Sequence, residues 1–400
     1  MLDEHDHRAI GARLDLFHLQ EEAPGMIFWH PRGWVLYRLV EGYIRDCLIA
    51  HGYQEVRTPQ VFARSLWEES GHWQNFRDGM LLVEDGERDF ALKPVNCPAH
   101  VQIFRKGVRS YRDLPLRLAE FGACHRNELH GNLYGLLRVR GFVQDDAHIF
   151  CREDQVDAEI ADFVELLRGV YRAFGFEDVE VGFATRPLER AGDDAVWDRA
   201  EAALARAAAG AGLELRRRSG DGAFYGPKLE FSLRDAHGRS WQCGTIQLDM
   251  IMPERLDAHY IDASGARVRP VILHRALLGS LERFVGILLE HARGSLPAWL
   301  APEQVVVATI ADPHRDAAAR AVGALRARGL RARLDDRNES ASRKVAEARR
   351  DGVPFLWMVG GREAADGSVS VRDRDGAPHS LPLEAAIEAA ERACARPAIP

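Results

Sequence analysis

The sequence predicts an α+β chain, in which an antiparallel sheet flanked by helices is followed by a small α/β domain. Three observations carry this. Around the stretch Phe121 to Phe150, two apolar-patterned segments (Leu116, Leu118, Phe121 and Leu137, Val139, Phe142) read as strands joined by a loop, about eight to ten residues long. Lys228 to Asp249 alternates Leu229, Phe231 and Leu233, then turns at Asp235 to Arg239, as a β-hairpin does. After Gln304 the pattern changes to strand–helix alternation, beginning with the apolar run Val305 to Ile310.

Bulk properties narrow the classes. A chain of 400 residues is long for one core and suggests two domains. Its 46% hydrophobic and 28% charged residues are those of a globular protein. A net charge of −7 argues against a chain-wide nucleic-acid footprint but leaves room for local basic faces such as Arg216 to Arg218. The six cysteines are widely spaced and form no CxxC pair, so neither a disulfide scaffold nor a zinc ribbon is indicated. The N-terminus lacks an apolar run and no stretch reaches 18 apolar residues, so neither signal peptide nor membrane span is expected. A reducing cytoplasm is the expected setting.

Taken in order, residues 6–22 read as an amphipathic helix ended by Pro24 and Gly25. A second helix is expected over Gly33 to His51, with a short strand from Tyr53 to Val56. Asp89 to Lys93 reads as a strand before Pro94, Asn96, Cys97 and Pro98. Residues 154–175 form a helix, Glu180 to Thr185 a strand, and Trp197 to Ala211 a helix on the outside of the sheet. In the hairpin strand Ser240 to Asp249 the polar face carries Gln242 and Gln247, and Thr245 shares a ligand only if a twist or bulge lies near Gly244. Val271 to His274 reads as a last strand, running into a helix from Arg275 to Glu290.

Ala292 to Gln304 is the expected linker. Beyond it, helices are expected at Pro313 to Arg328, Ser340 to Asp351 and Leu383 to Cys394. Strands are expected at Leu330 to Leu334, Pro354 to Gly360 and Val369 to Asp373, the last in a hairpin closing near Pro378.

Several of these residues suit phosphate chemistry. Arg126, Arg138 and Arg140 flank a glycine-bearing loop, and guanidinium is fixed in charge and forks onto paired oxygens. On spacing alone a solvated charged hairpin explains the same pattern equally well. Cys97 alone reads first as a buried small hydrophobe, and Glu282 with Arg283 as a solvated helix pair.

The stretch FGACHRNELHGNLYGLLRVRGFVQDDAHIF resembles motif 2 of a class II aminoacyl-tRNA synthetase. WHPRGW, GYQEVRTPQV, KPVNCPAH, GAFYGPK, WQCGTIQLDM and LHRALLGSLERF extend the resemblance from about Asp6 to about Arg396, in the threonyl-tRNA synthetase pattern. The resemblance implies a class II catalytic domain over 1–292 with motifs 1, 2 and 3, a linker at 293–304, and an α/β anticodon-binding domain over 305–400. It implies ATP-dependent activation of L-threonine to threonyl-adenylate and transfer to tRNA-Thr, in a homodimer built through motif 1.

Roles follow residue by residue. Arg126, Arg283 and Lys228 are the expected catalytic residues. Arg126, Glu128, Arg138, Val139, Phe142, Gln242, Thr245, Ser280 and Arg283 are expected at ATP, with its Mg²⁺. Gln144, Asp146, Tyr225 and Gln247 are expected around threonine. One Zn²⁺ per chain is expected on Cys97, His148 and His274, ligand types that zinc takes; the resemblance promotes Cys97 to a ligand but not the neighbouring His100. Asn338, Glu363 and Arg372 stand where family members contact the anticodon.

The chain also departs from the pattern. Leu129, His130 and Tyr134 replace the usual Pro-Ser pair and histidine of the motif 2 loop, which faces the acceptor stem, and Val95 and Ala99 replace a methionine and a glycine. No stretch resembles the family's N-terminal editing region, so seryl-tRNA is expected to persist. Two alternatives remain at this stage: a paralogue passing threonyl-adenylate to a carrier protein or small molecule, and a non-catalytic tRNA-binding paralogue.

Overall fold

A computed structural model describes residues 3–86, 88–374 and 377–400. The chain forms two compact units. One comprises residues up to His18, Phe28–Val40 and Leu288–Ala398; the other comprises Leu19–Ile27, Glu41–Ile287 and Ile399–Pro400. Among the described residues no helix is long and apolar enough to cross a membrane.

The larger unit is built on an eight-stranded sheet. Its strands lie in the order Arg216–Arg218, Glu180–Ala184, Lys228–Arg234, Ser240–Asp249, Val271–Ser280, Gly141–Cys151, Leu116–His125 and Gln54–Glu55. The pairings are antiparallel except at the two edges, where Arg216–Arg218 and Gln54–Glu55 add in parallel. One face buries Ile160, Phe163, Val164 and Tyr171 of the helix Val156–Ala173. The alanine-rich helix Asp194–Gly210 packs chiefly on that helix rather than on the sheet as expected, because Trp197, Ala200, Ala203, Leu204 and Ala207 make a narrow apolar stripe. A second, three-stranded sheet joins Val61–Ala63, Arg88–Leu92 and Leu82–Asp85; only the middle one was expected, as Asp89 to Lys93, and neither the other two strands nor the helices Arg64–Ser70 and His72–Phe76 were.

Two register irregularities shape the central sheet. In the hairpin Lys228–Asp249, Phe231 faces Gly244 and Ser232 faces Gln242, so Cys243 is an extra residue. A bulge near Gly244 was expected, but it re-aims Gln242 rather than Thr245: strict alternation already puts Thr245 and Gln247 on one face. The other irregularity corrects the expected end of the last strand. It runs to Ser280, and the helix starts at Leu281 and ends at His291. Gly279 sits at φ +76°, and a Cβ there would lie 2.5 Å from the Cys243 carbonyl oxygen, so only glycine suits the position.

The smaller unit carries a five-stranded sheet ordered Ala332–Asp335, Val305–Thr309, Phe355–Val359, Ser368–Asp373 and His379–Pro382. The first three strands are parallel and the last two antiparallel. Val305 and Val307 join a core with Leu325, Trp357 and Ile387, while Val306 and Ala308 join one with Val353, Leu356 and Met358. Burial on both faces is why that strand reads as an unbroken apolar run. A short helix, Gly361–Asp366, was not expected.

The expected first helix is shorter than its pattern. It spans His7–Arg13, capped by the Asp6 side chain on Arg8 N–H, and stops before Asp15, whose φ is +56°. The chain then pairs Phe17 with Trp29 and His18 with Phe28. The next helix, Pro31–Ala50, starts with proline at its first position, where no N–H is needed.

Phe150 is fully buried and stacks on Phe104 with ring centroids 4.3 Å apart. Phe150→Ala should cost about 3–5 kcal/mol, read as a lower urea midpoint at unchanged m-value; a loss under about 1 kcal/mol would show that ring to be dispensable to the core.

Candidate active site

Side-chain alternation along Gly141–Cys151 sends Gln144, Asp146 and His148 to one face of the sheet. On one flank the partners of Asp146 and His148 are Glu120 and Leu118; on the other they are Ala276 and His274. His148 and His274 are therefore direct cross-strand neighbours. Cys97 comes from outside the sheet, as the first residue of the helix Cys97–Arg105, with Pro98 in its first turn. Ligand atoms of Cys97, His148 and His274 all lie within 4.8 Å of one another, and all three residues are buried.

Hydrogen bonds around this cluster set the imidazole tautomers. His274 Nε2 lies 2.9 Å from Asp249 Oδ2, so Nε2–H donates and Nδ1 keeps its lone pair. His148 Nδ1 lies 2.9 Å from His100 Nδ1, and His100 Nε2 lies 3.1 Å from Glu120 Oε2. Glu120 accepts, so His100 donates from Nε2 and accepts at Nδ1; His148 then donates from Nδ1 and leaves its Nε2 lone pair available. Partners of this kind orient metal-ligating histidines. Burial drives the His148 imidazole well below its ordinary range, so the ring is neutral. Burial, then the Asp146 and Asp249 carboxylates, push the Cys97 thiol well above its ordinary value. One cysteine, which ligates as its thiolate, and two imidazoles with one ring nitrogen each held by a partner fit a zinc ion.

Glu120 anchors the relay. Beyond His100 it accepts from Thr58 N at 2.9 Å, from Thr58 Oγ1 at 2.9 Å and from Lys93 Nζ at 3.1 Å. Burial pushes its carboxyl up, but His100, Thr58 and Lys93 outweigh that and hold it at about 2.

Next to this cluster the same cleft is lined by arginines held in set directions. Arg126 Nε donates to Pro94 O at 3.2 Å, and its guanidinium lies 5.1 Å from the Phe142 ring centroid. Arg283 donates from Nε to Leu137 O and from a terminal nitrogen to Gln242 O, each at 2.9 Å. Burial lowers its pKa from the ordinary arginine value. Arg138 pairs with Glu128 at 3.0 Å. The loop bearing Arg126, Glu128 and Arg138 runs from 126 to 140, longer than expected, and is tied down where Arg126 N–H donates to Arg140 O and Arg140 Nε to Glu128 O.

Every residue expected at the catalytic, ATP, threonine and metal positions lines this one cleft: Val139, Phe142, Thr245 and Ser280 near the arginines, with Gln144, Asp146, Tyr225, Lys228 and Gln247 among the rest. Asn96 Nδ2 donates to Asp146 Oδ2 at 2.9 Å. Burial raises the Asp146 carboxyl against the pull of His100 and Asn96. Gln242 Nε2 donates to Thr245 Oγ1 at 2.7 Å. Lys228 Nζ lies 2.6 Å from Glu230, and Gln247 Oε1 is buried without a hydrogen-bond partner among the described residues.

In the smaller unit, the three residues expected at the anticodon stand apart along the sheet. Asn338 is exposed in the loop after Ala332–Asp335. Glu363 is 8% exposed and accepts from Gly360 N–H and from Arg362, closing the first turn of its helix. Arg372 faces Leu356 across the strand pair Phe355–Val359 and Ser368–Asp373, and its Nε is buried without a partner among the described residues.

The sequence reading missed the support of the site. For His100 the one available signal is its CxxH spacing from Cys97. Glu120, Asn96 and Asp249 gave no signal, because their partners are distant in sequence. His72 was also missed: its ring lies edge-on to Phe224 and near Tyr225, and burial lowers its pKa to about 3.

Comparison with known proteins gives the same family throughout. Residues 81–292 match the tRNA synthetase class II core domain (G, H, P, S and T), and residues 304–392 match the anticodon binding domain family. The chain is 57% identical to a threonine–tRNA ligase of Cupriavidus necator over 96% of its own length and 61% of that protein. It is 56% identical to one of Alkalilimnicola ehrlichii over 94% of its length and 58% of that protein. It thus spans about three fifths of the length of the curated relatives it matches. A crystal structure of the RNA binding domain of threonyl-tRNA synthetase from Cryptosporidium parvum Iowa II superposes with a TM-score of 0.94 at 38% identity, covering 98% of this chain and 99% of that one.

The Glu120 anchor has a pH signature. Its carboxyl is depressed from 4.5 to about 2, so its contribution to stability is full above about 4.5 and is lost as pH falls through about 2. The stability gap between the unmodified protein and Glu120→Gln should therefore shrink as pH falls through that window, measured by urea unfolding at each pH. A gap independent of pH would mean that Glu120 is not ionised in the relay.

Proposed function

The chain belongs to the class II aminoacyl-tRNA synthetases, with a threonyl-tRNA synthetase core and an anticodon-binding domain, and on that premise we propose that it is a threonine–tRNA ligase. The observation that carries this is the single cleft in which fixed arginines adjoin the cluster of Cys97, His148 and His274.

The proposed reaction has two steps. A carboxylate oxygen of threonine attacks the α-phosphorus of ATP, forming a new P–O bond while the bond to pyrophosphate breaks. The terminal ribose hydroxyl of tRNA-Thr then attacks the adenylate carbonyl and AMP leaves. The first step needs alignment and charge neutralisation more than proton transfer. Arg126 would bridge the threonine carboxylate and the α-phosphate, while Arg138 and Arg283 hold the other phosphates, with Mg²⁺ travelling on ATP. Phe142 would stack on adenine, and Glu128 and the Val139 backbone would meet its edge. Gln242, Thr245 and Ser280 close the nucleotide pocket, and Lys228 orients substrate or phosphate. Because the guanidiniums of Arg126 and Arg283 are already aimed by carbonyl oxygens, little reorganisation is needed when charge develops.

Asp146 would take the ammonium of threonine, with Gln144, Tyr225 and Gln247 around the rest. Zinc held by Cys97, His148 and His274 would supply open coordination positions for the amino and hydroxyl groups, which valine cannot fill completely. Serine keeps both groups and lacks one methyl, worth only about 10–200-fold in discrimination.

The proposed division of labour is catalysis in 1–292, a linker at 293–304 and tRNA recognition in 305–400, where Asn338, Glu363 and Arg372 contact the anticodon. The match of the anticodon-binding family to 304–392 supports this. A homodimer through the helix Pro31–Ala50 is supported by Trp34 and Ile49, which are 45% and 60% exposed. The setting proposed is the cytoplasm.

Three measurements test the proposal. The purified protein should exchange pyrophosphate into ATP in a threonine-dependent way and charge tRNA-Thr; exchange without charging would favour transfer to a carrier instead. Metal analysis should give about one zinc per chain, and Cys97→Ala should lose both zinc and exchange; full exchange by metal-free protein would remove zinc from the site. Arg372→Ala should leave exchange intact and weaken charging by roughly 5- to 150-fold, the effect of a base contact worth about 1–3 kcal/mol. Undiminished charging would exclude Arg372 from the anticodon contact.

A further inference from the structure

Ser280 and Arg283 reach the cleft only because their strand leaves its regular register. His274 faces His148 and Ala276 faces Asp146, so in unbroken pairing Leu278 would face Gln144. Ser280 faces it instead. Two extra residues are thus taken up opposite Asp145, which draws Ser280 and the following helix back by about 6–7 Å from where an unbroken strand would carry them. The even number of extra residues keeps Ser280 on the cleft face.

A bulge of this size frees backbone N–H groups in a buried place, where each needs a partner. One carboxylate takes all of them. Leu277 N–H donates to Asp145 Oδ2 at 2.8 Å, Leu278 N–H to both oxygens at 3.1 Å, and Gly279 N–H to Oδ1 at 2.9 Å. Asp145 is fully buried and points away from the face that carries Gln144 and Asp146.

A hydroxyl secures the carbonyl side. Tyr171 O–H donates to Leu277 O at 2.8 Å and accepts from Gly244 N–H at 2.9 Å. Gly244 borders the extra residue of the neighbouring strand, so Tyr171 ties the two irregularities together. Beyond the bulge, Ser280 Oγ accepts from Arg283 N–H at 3.2 Å, and the Arg283 guanidinium is directed by Leu137 O and Gln242 O. Gln242 is itself re-aimed by the bulge that Tyr171 touches.

We infer that Asp145 is a positioning residue for the nucleotide: with Tyr171 it holds the two-residue bulge that delivers Ser280 and Arg283 to ATP, while touching no substrate itself. This rests on the reading of the cleft as an ATP site. His148 and His274 lie in the regularly paired part of the same strands, so the effect is confined to the nucleotide half. An amide at position 145 would keep one acceptor oxygen and turn N–H groups toward backbone N–H groups, so the bulge would relax.

The test is threonine-dependent pyrophosphate exchange by the full chain, with ATP and threonine varied in turn, together with calorimetric titration by ATP. Asp145→Asn should raise the KM for ATP about 10- to 100-fold, as expected for lost buried hydrogen bonds to a charged group. It should leave the KM for threonine within about 2-fold. Tyr171→Phe, which removes one oxygen, should raise the KM for ATP about 3- to 10-fold with the same asymmetry. Neither KM depends on the fraction of molecules that fold, and if Asp145→Asn yields no folded protein, Tyr171→Phe decides alone. Unchanged ATP constants, or equal rises for ATP and threonine, would overturn the inference and reduce the bulge to general structure. Absence of threonine-dependent exchange in the unmodified protein would instead overturn the ligase reading, and calorimetry would still show whether Asp145 governs ATP affinity.

Discussion

The period-two alternation of side chains along Gly141–Cys151 decides where chemistry can occur in this chain. It turns Gln144, Asp146 and His148 into the cleft and Asp145 into the interior. Two adjacent aspartates thereby face opposite sides of one sheet. A register slip of one residue would turn Asp145 into the cleft; slipped one way it would set Gln144 under the three backbone N–H groups that Asp145 serves, and slipped the other way it would put a carboxylate where the cleft holds Gln144. The strand's antiparallel partners on both sides, ten residues paired on one flank, fix it against such a slip.

Around that strand the buried polar groups form closed systems. Lys93, Thr58, His100 and Glu120 satisfy one another behind His148, while Asp249 backs His274. Isolated, each would be expensive to bury; joined, they set ring tautomers and hold donor atoms still. The arginines follow a related rule. Carbonyl oxygens rather than carboxylates direct Arg126 and Arg283, so their charge is aimed without being neutralised. Arg138 differs, being paired with Glu128.

Much of the fold was legible because burial leaves a period in the sequence. Leu229, Phe231 and Leu233 gave the hairpin, and the run from Val305 gave a strand buried on both faces. What failed did so for local physical reasons. The strand Val271–Ser280 extends beyond the expected end at His274, because Ala276, Leu277 and Leu278 suit a helix equally well and the partner that holds them extended, Asp145, lies far upstream. The first helix is shorter than its pattern because Phe17 continues the apolar period beyond the left-handed turn at Asp15. The short strands and helices of residues 61–85 carry too few periods to stand out. The positions lining the cleft were legible through family resemblance, since Cys97, His148 and His274 have no telling spacing. The supporting residues Glu120, Asp249 and Asp145 were not, since their significance lies in contacts that only the folded sheet creates.

In the proposed reading one cleft binds ATP and threonine side by side, with the amino acid at the cysteine–histidine cluster. The most direct measurement is a crystal structure of the protein with a non-hydrolysable threonyl-adenylate analogue, including anomalous scattering at the zinc edge. Adenine should lie against Phe142, the phosphate surrogate between Arg126 and Arg283, and a zinc peak should be bonded to Cys97, His148, His274 and the threonyl amino and hydroxyl groups. An analogue bound elsewhere, or bound there with no metal between the three side chains and the threonyl group, would contradict it.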